Sequence, residues 1–223
     1  MKDICGLIAV RSGSERVKNK NIRPFANTSL LEIKLEQAKN TKLLNNVFVS
    51  SDSDEMLNIS KEYGAIPLKR DPYYASNSVH MNLVYEHLAN QLSCEHIVFL
   101  HVTSPLLKKQ TLELCIKNYI KSGKNFDSLC TVSKVQEYLW KDGKPLNYDP
   151  NSHPRSQDLP DVYSLNFAVN IISRKKMIER RNIVGENFFP FVLDKEESVD
   201  IDSKLDFRIA EFIYKQRKIK SII

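Results

Sequence analysis

The stretch "ICGLIAV" at residues 4–10 decides the fold. Its apolar residues follow one another without alternation, as in a strand that is buried on both faces of a sheet. Similar runs recur as "NVFVSSD" at 46–52 and "HIVFLHV" at 96–102, with amphipathic segments between them. Strands that alternate with helices predict parallel pairing through right-handed crossovers. We therefore expect an α/β fold with a doubly wound, mostly parallel sheet.

The amphipathic segments carry the boundary signals of helices. Residues 53–64, "SDEMLNISKEYG", begin with a Ser/Asp cap signal and end on Gly64, the expected stop residue. Apolar spacing at Leu30, Leu31, Ile33 and Leu35 predicts a helix at 29–41, and further helices are expected at 80–92 and at 108–123, which ends on Gly123. The run "DSLCTVSKV" predicts a strand at 127–135.

Residues 136–165 break this alternation. They contain four of the nine prolines, the only tryptophan and an Asp-Gly turn signal. We expect a single domain over residues 1–223, in which 136–165 form an arm or dimerisation insertion.

Composition narrows the class of protein. The chain has 223 residues, a formal charge of +6 and four widely spaced cysteines without a CxxC pair. This spacing argues against a structural zinc and against a disulfide framework, so we expect a reducing, cytoplasmic location. No signal peptide and no apolar run of about 20 residues is apparent, which argues against a membrane protein. No basic stripe interleaved with aromatic residues indicates a nucleic-acid partner.

The first strand leads into a strongly cationic loop, "RSGSERVKNKN" at 11–21. Ligands of doubly wound sheets bind at the carboxyl ends of strands, which is where this loop lies. The loop matches neither GxGxxG nor GxxxxGK[ST], so a glycine-rich phosphate cradle is not indicated. Its Arg and Lys side chains could clamp a triphosphate, or they could be a solvated basic loop. The position at a strand end favours the triphosphate.

A pair of carboxylates near the C-terminus offers a metal site. Asp200 and Asp202, in "EESVDIDSKLDF", project to the same side of an extended segment. Two such carboxylates suit Mg²⁺, which also binds substrate phosphates. The alternative is an exposed acidic turn before a helix, with Ser203 as the N-cap.

Three other segments offer polar side chains for a pocket, and each has a purely structural alternative. Residues 70–82 could line a rim or cap a helix, residues 100–106 could hold a ligand or a satisfied core histidine, and residues 153–163 could bind an acid or form a surface turn. The side chains concerned are Arg70, Asn77, Ser78, His101, Arg155 and Gln157. Cations at one strand end and a carboxylate pair together indicate a metal-dependent nucleoside triphosphate site for phosphoryl or nucleotidyl transfer.

The chain resembles the acylneuraminate cytidylyltransferase (CMP-sialic acid synthetase) family over residues 4–214. The motifs that carry the resemblance are "IAVRSGSERVKNKNIRPF", "VFVSSDSDEMLNISKEYGA", "KRDPYYASNSV", "FLHVTSPL", "RSQDLPDVY" and "SVDIDSKLDF". It implies a Rossmann-like nucleotidyltransferase fold and an Mg²⁺-dependent homodimer in which the arm contacts the neighbour. It also implies that CMP passes from CTP to an acidic acceptor with release of pyrophosphate.

The resemblance also implies residue roles. The catalytic residues are Arg11, Lys20 and Asp202. Arg11 and Lys20 would contact the CTP phosphates, Ser14 and Asn21 would shape their loop, and Arg70 and Ser78 would hold the cytidine. Asp200 and Asp202 would bind Mg²⁺.

Departures from the family pattern concern the acceptor. His101 stands where a glutamine is usual, Ser156 follows Arg155 where a second arginine is common, and Phe167 in "NFAVNI" occupies a glycine position. The acceptor-binding set is His101, Arg155, Gln157, Asn166 and Phe167. We expect a nonulosonic acid of the sialic type as acceptor. The alternatives are a small phosphonate or phosphorylated acid and, from another class, a non-catalytic nucleotide-binding protein.

Overall fold

The computed structural model describes residues 3–14, 16–123 and 125–220. Its main sheet has seven strands in the order β3-β2-β1-β4-β8-β5-β9. These strands are β1 (Ile4–Ala9), β2 (Asn46–Ser51), β3 (Ile66–Lys69), β4 (His96–Leu100), β5 (Ser128–Val135), β8 (Val162–Ser173) and β9 (Phe188–Val192). A separate hairpin consists of β6 (Trp140–Lys141) and β7 (Lys144–Pro145).

Six helices accompany the strands within the described ranges, and the first four begin one residue after the start of the segments predicted for them. They are α1 (Leu30–Lys39), α2 (Asp54–Glu62), α3 (Met81–Asn90), α4 (Lys109–Ser122), α5 (Arg174–Arg180) and α6 (Lys204–Lys220). The side chains of Ser29 and Ser53 accept the backbone N–H groups of Glu32 and Met56, which caps α1 and α2.

The sheet is mostly parallel, as predicted. β1 pairs in parallel with β2 and β4, and β2 pairs in parallel with β3. β8 runs antiparallel to both of its neighbours, β4 and β5. Because β8 follows the arm rather than a crossover helix, the alternation of the first half did not predict its direction. The four strands β1 to β4 end at the same edge of the sheet, which positions the loops of the site.

A bulge interrupts β8 beside this edge. The β5 register passes from Val132 opposite Leu165 to Cys130 opposite Asn170, so extra residues are accommodated on β8. Within the bulge, Phe167 adopts a left-handed backbone with φ of 54°. A bulky residue rarely takes this conformation, and bulges with such residues occur often beside active sites.

The arm contains the predicted turn. Asp142 and Gly143 have φ values of 51° and 75° and connect β6 to β7, as expected of an Asp-Gly hairpin. The last residues of the predicted arm, from Val162 onward, belong to β8.

The expectation that the cysteines would not form disulfides is wrong for one pair. Cys5 and Cys94 form a disulfide across 89 residues of sequence, whereas Cys115 and Cys130 are free and buried. The parallel pairing of β1 with β4 brings the two cysteines together, since Cys5 lies opposite Ile97. This proximity depends on strand order and is not visible in the cysteine spacing. The reducing, cytoplasmic location stays a prediction.

In the described part of the chain, no helix combines the length and apolar character needed to cross a membrane.

Candidate active site

A cleft of about 540 Å³ opens at the carboxyl ends of β1 and β4. Its walls come from the cationic loop after β1, the segment between β3 and α3, and the turn after β4. The predicted site residues that line it are Arg11, Ser14, Lys20, Asn21, Arg70 and His101. The sheet therefore brings together side chains that lie up to 90 positions apart in the sequence.

The loop after β1 is fastened at several points. The backbone N–H of Ser12 donates to Asp52 at 2.9 Å, and its hydroxyl donates to the same carboxylate. Asn21, which is buried, donates to the carbonyl oxygen of Arg11 at 2.9 Å. Val17 is buried in the core. These contacts hold Arg11, Arg16 and Lys20 at the cleft, unlike the cations of a freely solvated basic loop.

Two arginines line the cleft beside the segment between β3 and α3. Arg11 donates through Nη1 to the carbonyl oxygen of Ala75 at 2.7 Å and through Nη2 to the Asn77 side chain. Arg70 is buried and donates to the carbonyl oxygen of Val10, while its Nε has no hydrogen-bond partner in the described residues. Burial lowers the pKa of Arg70. A buried guanidinium with a free N–H is ready to bind an acceptor atom of a ligand.

Lys20 joins the basic loop to the carboxylate pair. Its Nζ donates to the carbonyl oxygen of Ile201 at 2.6 Å. Burial lowers the pKa of Lys20, and the negative charges of Asp200 and Asp202 oppose that shift. Arg16 forms an ion pair of 2.8 Å with Asp202. The cations and the two carboxylates thus meet at one end of the cleft.

Asp200 has the chemistry expected of a metal ligand. Burial raises the pKa of its carboxyl group, a hydrogen bond from Thr103 lowers it, and the negative charge of Asp202 raises it further. Its Oδ1 atom is buried and has no hydrogen-bond partner in the described residues. An orphaned buried carboxylate oxygen beside a second carboxylate fits a hard divalent cation.

The described residues contain no cluster of three or more His, Cys, Asp or Glu side chains that could hold a metal. A cation held by Asp200 and Asp202 would therefore complete its coordination with waters and substrate phosphates, as Mg²⁺ commonly does.

The structural alternative for this acidic segment also holds. The hydroxyl of Ser203 accepts the backbone N–H of Asp206 at 3.2 Å, and Asp206 accepts the backbone N–H of Ser203 at 2.7 Å. This reciprocal pair starts α6 as a capping box. The carboxylate that caps the helix is that of Asp206, so Asp200 and Asp202 are not needed for the cap.

Aromatic side chains form the edge of the cleft after β4. The His101 ring lies 4.8 Å from the Phe99 ring and 5.9 Å from the Phe167 ring, measured between centroids. Burial, together with the nearby charge of Lys34, lowers the pKa of His101 to about 4, so the ring is neutral at pH 7. Asn166, behind Phe167, donates to the hydroxyl of Ser133 at 3.0 Å.

Seven predicted site residues do not line the cleft, namely Asn166, Phe167, Asp200 and Asp202, which are described above, and Ser78, Arg155 and Gln157. Ser78 is exposed and forms a hydrogen bond of 2.9 Å with Ser76, which lines the cleft together with Asn77. Arg155 and Gln157 are exposed on the arm, where Arg155 pairs with Asp158 at 2.8 Å. Their binding roles stay predictions.

The sequence reasoning assigned no role to several residues that the structure places in the site. Arg16 was one cation among four, and only its contact with Asp202 distinguishes it. Tyr74 and Thr103 also line the cleft. Thr103 lies two residues before Pro105 in a strand-ending turn, so its position predicted a structural role and not the influence that it has on the pKa of Asp200.

A family model described as Cytidylyltransferase matches residues 5–186, which is most of the chain. The chain belongs to the cytidylyltransferase family.

Individual members of the cytidylyltransferase family match over nearly their full length. Pseudaminic acid cytidylyltransferase of Campylobacter jejuni is 30% identical, and the match covers 96% of this chain and 97% of the relative. CMP-N,N'-diacetyllegionaminic acid synthase of the same species is 26% identical, with 96% and 95% covered. The structure of a CMP:2-keto-3-deoxy-manno-octonic acid synthetase complexed with CTP superposes with a TM-score of 0.71, covering 97% of this chain and 100% of that one at 10% identity. This likeness confirms the predicted Rossmann-like nucleotidyltransferase fold.

Proposed function

We propose that this cytidylyltransferase transfers CMP from CTP to the hydroxyl of a nonulosonic acid and releases pyrophosphate. The observation that carries the proposal is the meeting of Lys20 with the segment of Asp200 and Asp202 at the end of a cationic cleft. Such a site neutralises charge and positions reactants, which is what nucleotidyl transfer requires. The names of the pseudaminic and legionaminic acid relatives support the acceptor class.

The cationic side of the cleft would receive the triphosphate. Arg11 and Lys20 are held in place by neighbouring backbone oxygens, so their cationic groups need little reorganisation when phosphates arrive. The acceptor hydroxyl would attack the α-phosphorus and release its proton to water, the bond from that phosphorus to the β-phosphate oxygen would break, and pyrophosphate would leave. Lys20 and Arg11 would stabilise the negative charge that builds on the phosphates and on the leaving group.

Asp200 and Asp202 would hold the Mg²⁺ ion. The buried, unpartnered Oδ1 of Asp200 supports this assignment. When bound, Mg²⁺ would supply a Lewis acid that polarises the α-phosphate and lowers the pKa of the acceptor hydroxyl. The ion pair between Arg16 and Asp202 would open or rearrange, because the same carboxylate would then face the cation.

The acceptor would lie beside His101 and Phe167. Their rings form an aromatic, uncharged edge, since His101 is neutral at neutral pH, so this edge would contact the ring and acyl substituents of the sugar rather than its carboxylate. Phe167 occupies space that a glycine would leave open. We therefore expect a narrower range of acceptors than in relatives with glycine at this position.

The arm would contact a second copy of the chain. Tyr138, Trp140 and Leu146 are 36%, 56% and 60% exposed, an unusual density of apolar surface for so short a segment. Arg155 and Gln157 also lie on the arm and outside their own cleft, as expected if they serve a neighbouring site. Light scattering of the chain and of Trp140→Ser tests this point, and a monomer in both would contradict it.

The function is tested by pyrophosphate release in the presence of Mg²⁺. Each of the four ribonucleoside triphosphates is paired with a panel of pseudaminic, legionaminic and sialic acids, Kdo, and small phosphonates and phosphate esters. We expect release with CTP and one or more nonulosonic acids. Release with CTP and only a small phosphorylated acid would contradict the proposed acceptor class but support CTP as the nucleotide. No release with any pair would contradict the proposal that the protein is a nucleotidyltransferase.

A further inference from the structure

Lys34 is a fully buried amine that the proposed chemistry does not use. It lies on α1 among the buried residues Leu30, Leu31, Ile33 and Leu35, and its exposed fraction is 0%. Its Nζ donates to the carbonyl oxygen of Ser104 at 2.9 Å. No carboxylate pairs with it in the part of the chain that the structure describes. Burial lowers the pKa of Lys34 to about 7.

Such a side chain opposes folding. Removing an amine from water is unfavourable unless an acid or several hydrogen bonds compensate. A methionine would fill nearly the same space without this penalty. The ammonium group therefore does not serve stability, and its role lies in fixing the backbone to which it donates a hydrogen bond.

That backbone is the turn after β4, which supports the metal-binding segment. The turn closes where the Ser104 N–H donates to the carbonyl oxygen of His101 at 3.4 Å. One residue earlier, the Thr103 carbonyl oxygen accepts the N–H of Ile201 at 2.9 Å, and the Thr103 side chain lies near enough to Asp200 to lower the pKa of its carboxyl group. Lys34 thus contacts the turn at Ser104, and the same turn contacts the segment of Asp200 and Ile201 through Thr103.

We propose that Lys34 is a positioning residue that holds the turn of residues 101–104 so that Asp200 keeps its place opposite Lys20. The contact at Ser104 fixes the turn, Thr103 transmits its position to Asp200 and Ile201, and the Ile201 carbonyl oxygen receives Lys20. The catalytic part of this proposal rests on the proposed function, whereas the mechanical link between Lys34 and Ile201 does not.

The test replaces Lys34 with methionine and uses Lys39→Met as the matched control, since Lys39 is exposed on the same helix. We expect Lys34→Met to lower kcat about 10- to 100-fold, with little change in the KM for CTP, because a small displacement of a reacting group has effects of this size. We also expect Tm to rise by about 2–4 °C, since a buried charge is removed. Lys39→Met leaves both unchanged.

Hydrogen exchange supplies a readout that does not depend on turnover. In Lys34→Met, the amide of Ile201 exchanges faster than in the wild-type chain, because the turn that accepts its N–H is looser. Thr103→Val cuts the link to Asp200 one step later, so the double variant loses little more kcat than either single variant.

An unchanged Ile201 amide exchange would overturn the mechanical link even if the wild-type chain transferred no nucleotide. A Lys34→Met variant with wild-type kcat, or with a lowered Tm or a lost fold, would also overturn the proposal. In that case the ammonium would serve the core rather than the site.

Discussion

Lys20 places its Nζ atom 2.6 Å from the carbonyl oxygen of Ile201, a residue 181 positions further along the chain. This contact joins the loop after β1 to the acidic segment that contains Asp200 and Asp202. Ile201 is itself buried and flanked by Asp200 and Asp202, so the lysine meets the backbone between two carboxylates. The relationship brings the cations that we propose to bind phosphate and the candidate metal ligands into one site.

Replacing Lys20 with methionine should reduce kcat/KM about 100- to 1000-fold, because a charge that faces the developing negative charge is removed. Lys18→Met is the matched control, since Lys18 is exposed on the same loop and does not line the cleft. Steady-state pyrophosphate release measures both. Equal rates for the two variants would mean that the loop is merely a solvated basic segment.

Replacing Asp200 with asparagine should abolish turnover without weakening the fold. Burial raises the pKa of Asp200, so its charged form opposes folding at neutral pH, and the neutral amide removes that penalty. Urea unfolding at neutral pH without Mg²⁺ should give a free energy of unfolding equal to or above that of the wild type.

Asp206→Asn is the contrasting variant. Hydrogen bonds from Ser203 lower the pKa of Asp206, so its charged form stabilises the capping box. We expect its loss to cost about 1 kcal/mol. Were Asp200→Asn to lose more stability than Asp206→Asn, the assignment of Asp200 to the site rather than the fold would be wrong.

Two substitutions of Phe167 distinguish the effect of backbone strain from the effect of side-chain size. Phe167→Gly and Phe167→Ala both remove the ring, but only glycine adopts a φ of 54° without strain. The glycine variant should therefore be about 1 kcal/mol more stable than the alanine variant. Both should accept bulkier acids than the wild type, measured as kcat/KM across a series of acyl substituents. An unchanged acceptor range would remove Phe167 from the acceptor site.

The buried Lys34 should give stability a defined dependence on pH. Burial lowers its pKa from 10.5 to about 7, so between these values the unfolded chain binds more protons than the folded chain. The free energy of unfolding contributed by this group therefore rises with pH in that window, by at most about 1.4 kcal/mol per pH unit.

Below the folded pKa of Lys34 both states are protonated, and the group adds no slope. The difference between the wild type and Lys34→Met, measured by urea unfolding from about pH 7 to about pH 9, isolates the effect. A constant difference across this window would show that Lys34 is not desolvated in solution.

Local signals predicted much of the fold. The serines before α1 and α2, and Gly64 with its φ of 81°, set helix boundaries by hydrogen bonds within a few residues, which a sequence displays directly. The continuous apolar run of β1 likewise reflects burial on both faces.

Features that depend on strand order were not predictable in the same way. Three such features depend on how distant segments meet in the fold: the antiparallel direction of β8, the disulfide between Cys5 and Cys94, and the ion pair between Arg16 and Asp202. Lys34 is the clearest case, because a lysine in an amphipathic helix is ordinarily on the solvated face. Among the described residues, the partner of its ammonium group is the carbonyl oxygen of Ser104 in the turn after β4, which folds over α1.

Product analysis with CTP, Mg²⁺ and pseudaminic or legionaminic acid is the most direct test of the proposed CMP transfer. Mass spectrometry and a pyrophosphate assay on the same reaction give the amounts of both products. We expect a CMP conjugate of the acid and an equal amount of pyrophosphate with the wild type, and neither product with Lys20→Met above background. Pyrophosphate without a conjugate, or a conjugate formed equally well by the Lys20→Met variant, would contradict it.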